Sequence, residues 1–234
     1  LFVYGNNNEK FWKKMFHHLK TLLTCFYHEG DDCRVRAINN KELSDVHFSL
    51  YLGKTLNRLT TYKALSGEDI SEYIEMVTVV NKYIPDISQH HLAFSHGDLC
   101  LSNILYNSHN NRLYIIDPKG QATLKSHPTI SDIRYDISKL FHSFIGGYDH
   151  ILANHFSIVN GSIKFSDLTY INMQEIYSRF RELIIPDNLD ISLHELLAIN
   201  VMLFVSMTPL HDENKIKQKA FLINAKRLFM MLNI

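Results

Sequence analysis

Apolar residues recur at helical spacing along most of this chain. The one stretch that breaks the rule, near the middle, limits the possible folds more than any other feature. From Lys10 to Tyr27 the residues Phe11, Trp12, Met15, Phe16, Leu19, Leu22, Leu23 and Phe26 follow the helical period, and Gly30 stops the helix. A second helical pattern covers Glu42 to Leu65. A third runs from Ile70 to Tyr83 and is ended by Pro85. Past Leu92 the period shortens. "NILY" and "RLYIID" are two β-type runs separated by the Asn- and Ser-rich "NSHNN", and they predict a hairpin. After a loop from Pro118 to Thr129 the helical period returns over Ser131–Phe144, Leu168–Leu183, Ser192–Met207 and Glu213–Leu232. The expected fold is mainly α with one small β-hairpin. No internal repeat or low-complexity tract interrupts it.

Polar residues collect at the two ends of that hairpin. "FSHGDLCLSNILYN" (Phe94 to Asn107) sets His96, Asp98 and Asn103 at the approach to the first strand, and "LYIIDPKG" ends the second with Asp117. Asp98, Asn103 and Asp117 are each, taken alone, common turn residues. A hairpin brings its ends together, so Asp98, Asn103 and Asp117 are expected to converge. Asn103 and Asp117 offer hard oxygen ligands of the kind Mg²⁺ shares with phosphate oxygens and water. Asp98 is expected beside them as a free carboxylate with a pKa near ~3.9, able to accept a hydroxyl proton. A metal–phosphate platform with a nearby carboxylate is what phosphoryl transfer to an alcohol requires.

"HGDLCLSN" followed by "IIDPKG" resembles the catalytic and metal-binding segments of the aminoglycoside phosphotransferase and choline kinase-like group, which has a protein-kinase-like fold. The resemblance implies the helical C-terminal lobe of that α+β fold over residues 9–234. The catalytic loop would occupy 94–107 and the metal-binding segment 113–120. It implies Asp98 as catalytic base and Asn103 and Asp117 as Mg²⁺ ligands, with ATP as donor. Asp136, in "DIRYDISKLFHS", would brace the catalytic loop by accepting backbone hydrogen bonds. His96 and Ser102 would support the same loop. Lys119, Arg134, Tyr148 and Asp149 are candidate contacts to phosphate or acceptor. "GGYDHI" and "SMTPLHDEN" further resemble bacterial members associated with capsule or surface polysaccharide. The expected activity is an ATP- and Mg²⁺-dependent phosphotransferase acting on a hydroxyl of a sugar, amino alcohol or surface-polysaccharide precursor.

The family's small β-rich lobe, with a Gly-rich phosphate loop and a strand Lys, has no counterpart in this sequence. "LFVYG" reads as a linker between lobes (residues 1–8), and the N-terminal lobe as missing. The rival expectation is therefore a non-catalytic kinase-like module that binds a partner or ligand.

Other classes fare worse. Lys plus Arg and Asp plus Glu number 24 each, which lacks the basic excess of a general nucleic-acid or membrane-surface binder. Cys25, Cys33 and Cys100 show no paired spacing and predict free thiols in a reducing, cytoplasmic compartment. "LLAINVMLFVSM" is short for a membrane span and predicts a buried helix. A metal hydrolase built on His90, His91, His96 and Asp98 would need at least three convergent ligands, and adjacent histidines do not easily face one ion. Tyr135, Tyr148 and Trp12 are candidates for an aromatic cage around a quaternary ammonium, against the ordinary role of aromatics in a core.

Overall fold

The computed structural model describes residues 8–31, 38–119, 123–165 and 173–232. The "LFVYG" segment and Gly120 of the Asp-Pro-Lys-Gly run lie outside the described residues. The described chain is mainly helical, with three two-stranded antiparallel sheets where one hairpin was expected. The helices are α1 (Glu9–Glu29), α2 (Asn40–Leu50), α3 (Leu52–Ser66), α4 (Ser71–Asn81), α5 (Ile133–Phe144), α6 (Tyr148–Leu152), α7 (Met173–Ile184), α8 (Leu193–Met207) and α9 (Lys215–Met230). The strands are β1 (Leu92–Phe94), β2 (Ile104–Asn107), β3 (Arg112–Ile115), β4 (Ile130–Asp132), β5 (Phe156–Val159) and β6 (Ser162–Phe165). The chain divides into two compact units with interleaved segments, and α2 and α5 each cross from one to the other.

The first unit draws on the described residues of Leu1–Val46, Asp86–Phe141 and Tyr170–Ile191. The side chain of Asn8 caps α1 by accepting from the Phe11 N–H at 2.9 Å. The apolar period then turns Met15, Leu19, Leu23 and Phe26 inward. That face packs on α7 and on β1, where the Phe26 and Phe94 rings lie 4.9 Å apart. β1 pairs with β4, Ala93 opposite Ser131. β2 and β3 form the expected hairpin, Ile104 opposite Ile115 and Asn107 opposite Arg112. The loop before β4 is held from a distance: the Glu42 carboxylate accepts from the Lys125 N–H at 2.6 Å and the Ser126 N–H at 3.2 Å. Leu92, Leu99, Leu124, Ile133, Ile137 and Leu140 are fully buried beneath these elements. Their burial fixes where β1 ends and α5 begins, which is where the polar residues gather.

The second unit comprises the described residues of His47–Pro85, His142–Thr169 and Ser192–Ile234. The sequence predicts one helix over Glu42–Leu65; the structure breaks it at Tyr51, whose φ of −112° and ψ of −96° are not helical. The ring of Phe48 lies where a Cβ on Gly53 would stand, and so occupies the start of the next helix. α8 is the hub of this unit and packs on α3, α4 and α9. Ser192 and Glu195 close a capping box at its start: the Glu195 N–H donates to Ser192 Oγ at 3.1 Å and the Ser192 N–H to Glu195 Oε2 at 2.9 Å. Every residue from Leu196 to Met207 is buried. With the turn that follows, Leu193–His211 is long and apolar enough to span a membrane, but 72% of that apolar window is buried inside the protein. Asn200, one of two polar residues in Leu196–Met207, donates from its amide to the Leu196 carbonyl at 2.8 Å. β5 and β6 form a second hairpin, turning through Asn160 and Gly161, both at positive φ (51° and 76°).

Candidate active site

All the central polar residues lie in the first unit, on the loop after β1, the hairpin and the start of α5. β1 ends at Phe94, and the Ser95 N–H continues its pairing by donating to the Thr129 carbonyl at 2.9 Å. The next residues are gripped from below by Asp136, in the first turn of α5. Its Oδ2 accepts the His96 N–H at 2.8 Å and the Ser95 hydroxyl at 3.2 Å, and its Oδ1 accepts the Gly97 N–H at 2.9 Å. Asp136 therefore accepts the backbone bonds proposed for it. It is fully buried. Burial pushes its carboxyl up to about 6, while the two N–H groups and the hydroxyl pull the other way. Gly97 has a φ of 77°, which an L side chain would oppose, so the bend that presents Asp98 favours glycine.

His96 is a packing residue. Its ring is buried, and Nε2 donates to the Ile116 carbonyl at 3.0 Å. The carbonyl can only accept, so the geometry assigns the proton to Nε2. The return tie comes from Lys119, whose backbone N–H donates to the His96 carbonyl at 2.8 Å. Ser102 is exposed, and its hydroxyl reaches Cys100 Sγ at 3.1 Å within its own turn.

Asp98 is not the free carboxylate that was expected. Its Oδ1 lies 2.8 Å from Lys139 Nζ and its Oδ2 lies 2.5 Å from Lys119 Nζ. Burial, the largest influence, would raise its pKa; the ammonium of Lys139 and then that of Lys119 overcome it and hold the carboxyl down at about 2. Lys139 was missed in the sequence because a lysine on a helix ordinarily belongs to a solvated face. The available signal was its spacing from Asp136: residues three apart share a helix face, so a helix that turns Asp136 to the loop turns Lys139 there too.

Asn103 and Asp117 are brought near by one side-chain and one backbone bond. The Asn103 side-chain amide donates to the Asp98 carbonyl at 2.9 Å, and the Ile116 N–H donates to the Asn103 carbonyl at 3.0 Å. Asp117 follows immediately, exposed and in the left-handed region at φ 58°. Strained non-glycine backbone clusters at functional sites. The donor chemistry fits Mg²⁺. The Asn103 amide nitrogen is committed to the loop, which turns its hard oxygen away from that bond, and the exposed Asp117 carboxylate adds a second. Among the described residues no group of three or more His, Cys, Asp or Glu is arranged to hold a metal, which counts against the metal-hydrolase reading of His90, His91, His96 and Asp98.

Two candidate contacts, Arg134 and Tyr148, need correction. Arg134 cannot reach a phosphate: it is fully buried, and its Nε and Nη2 clamp the equally buried Asp132 at 3.0 and 2.7 Å. Breaking that pair would leave an uncompensated buried charge. Tyr148 belongs to the second unit and is buried, with its ring stacked 4.4 Å from that of His142, so it is a core residue and not a pocket wall. Asp149, beside it in the first turn of α6, is half-buried in the same unit. The aromatic cage loses its members in the same way. Tyr135 and Tyr148 are buried, and Trp12 packs against the rings of Phe11 and Phe16.

No family model matches this chain, and no curated protein matches it.

Proposed function

We propose that this chain is the helical lobe of a protein-kinase-like phosphotransferase of the aminoglycoside phosphotransferase and choline kinase-like group. It would move the γ-phosphate of ATP to a hydroxyl of a sugar, amino alcohol or surface-polysaccharide precursor. One observation carries the reading. The His96–Asp98 loop is bonded to Asp136 on one side and, through Asn103, to Ile116, the residue before Asp117, on the other. Carboxylates distant in sequence are thus tied to one frame, as a metal–phosphate platform needs.

In this reading Asn103 and Asp117 hold Mg²⁺, which supplies neutralisation of phosphate charge. Asp98 orients the acceptor hydroxyl and takes its proton. A carboxylate held near 2 is a weak base. The transition state is loose, so positioning counts for more than base strength. The rest of the chain's work is structural: Asp136, Gly97 and His96 hold the loop so that Asp98 keeps its place.

A specific observation also favours the rival reading, a non-catalytic kinase-like module: both oxygens of Asp98 are already paired with ammonium groups. Nucleotide binding by the full-length protein, with and without Mg²⁺, tests the metal site. Asp117→Ala should abolish the Mg²⁺-dependent part, and an unchanged affinity would remove Asp117 from the role.

A further inference from the structure

The two lysines on Asp98 are not equivalent. Lys139 stands on α5, and its side chain is 8% exposed, against 48% for Lys119. Its ammonium and the Asp98 carboxylate are both shielded, so separating them would strand two charges away from water. Apart from its ion pair with Asp98, Lys119 is held at its backbone, through its N–H to the His96 carbonyl at 2.8 Å. Its four-carbon stem is flexible and half in solvent. Moving its ammonium off Asp98 leaves the carboxylate still paired with Lys139. Two cations face one carboxylate in this cluster, so a second anion would be accommodated there without stranding either lysine.

We propose that Lys139 is a positioning residue that fixes Asp98, and that Lys119 is an exchangeable cation that leaves Asp98 Oδ2 to bind an oxygen of the phosphoryl group being transferred. The proposal rests on the phosphotransferase reading above and names two residues it did not use. In the step, the acceptor oxygen forms its bond to the γ-phosphorus. The bond from that phosphorus to the bridging oxygen breaks, and its electron pair leaves with the nucleoside diphosphate. The hydroxyl proton passes to the Oδ2 that Lys119 has vacated, while Lys139 stays on Oδ1. One flexible lysine thereby couples arrival of the donor to exposure of the base, a coupling that the half-exposed position of Lys119 permits.

The test is steady-state kinetics of the full-length protein with ATP as donor, comparing Lys119→Met, Lys119→Arg, Lys139→Met and Lys139→Arg. Lys119→Met should raise the KM for ATP by about tenfold or more, with Lys119→Arg restoring it to within about threefold. Lys139→Met should lower kcat by about 10- to 100-fold while the KM for ATP stays within about threefold. An unchanged ATP KM in Lys119→Met, or equal ATP KM effects in both Met variants, overturns the proposal while leaving the phosphotransferase reading intact. Absence of transfer by the unmutated protein overturns that reading and this one with it. Should Lys139→Met fail to fold by circular dichroism, the Lys139→Arg kcat and the Lys119 pair still decide between these outcomes.

Discussion

The imidazole Nε2 of His96 donates to the carbonyl oxygen of Ile116 at 3.0 Å, and this bond laces the loop that presents Asp98 to the strand that runs into Asp117. The Lys119 N–H on the His96 carbonyl and the Ile116 N–H on the Asn103 carbonyl lace it twice more. Both sides of the candidate site are therefore one hydrogen-bonded assembly, and the His96 bond is a member of it that a side-chain substitution can remove.

His96→Ala removes that side-chain bond, leaves a carbonyl without its donor and opens a small void. The loss should be about 1–3 kcal/mol of stability, read as a lower urea midpoint with unchanged slope. His96→Gln, which can donate to the same carbonyl, should recover part of it. Equal stability in His96→Ala and the unmutated protein would contradict the tie.

Asp136 and Asp98 should have opposite pH signatures. The Asp136 carboxyl is raised by burial to about 6, so the stability it contributes is fully present below about pH 4 and is lost as pH rises through 6. The Asp98 carboxyl is held at about 2, so its contribution is present above about pH 4 and is lost as pH falls through 2. Each shift corresponds to about 3 kcal/mol at most. The difference in unfolding free energy between the unmutated protein and Asp136→Asn should slope between pH 4 and 6 and flatten above. For Asp98→Asn it should slope only below about pH 4. A flat Asp136→Asn difference across pH 4–7 would show that its carboxyl is not raised.

Two glycines of the second unit should respond oppositely to alanine. At Gly146 a Cβ would stand 2.6 Å from the His142 carbonyl oxygen and 3.0 Å from the Phe204 ring, and backbone cannot yield cheaply. Gly146→Ala should cost about 1–3 kcal/mol. At Gly53 the clash is with the Phe48 ring at 2.4 Å, but that side chain is 56% exposed and free to swing outward. Alanine is the better helix former, so Gly53→Ala should fall between neutral and about 1 kcal/mol stabilising. Thermal melts of the two variants check the contrast.

Much of the fold is legible in the sequence where a local pattern carries the information. The α1, α4, α8 and α9 helices and the β2–β3 hairpin follow from apolar period and turn residues, as does the gathering of Asp98, Asn103 and the approach to Asp117 at the hairpin's ends. The break at Tyr51 was invisible because apolar residues keep the helical period across it. The β1–β4 pair joins two three-residue strands far apart in sequence, which leaves no local trace. The β5–β6 hairpin does leave one: Asn160-Gly161 between "FSIV" and "SIKF" is a strong two-residue turn signal. Arg134 was misplaced and Lys139 missed for one reason. Whether a cation faces solvent or a buried carboxylate is decided by tertiary packing, and both face Asp side chains in the first unit.

The most direct test is transfer of labelled phosphate from ATP to a panel of alcohols, sugars and amino sugars by the full-length protein and its Asp98→Asn variant. The account predicts a labelled, Mg²⁺-dependent product whose rate of formation drops by about 10²–10⁴-fold in the variant. A product formed at full rate by Asp98→Asn, or no labelled acceptor from the unmutated protein, would contradict it.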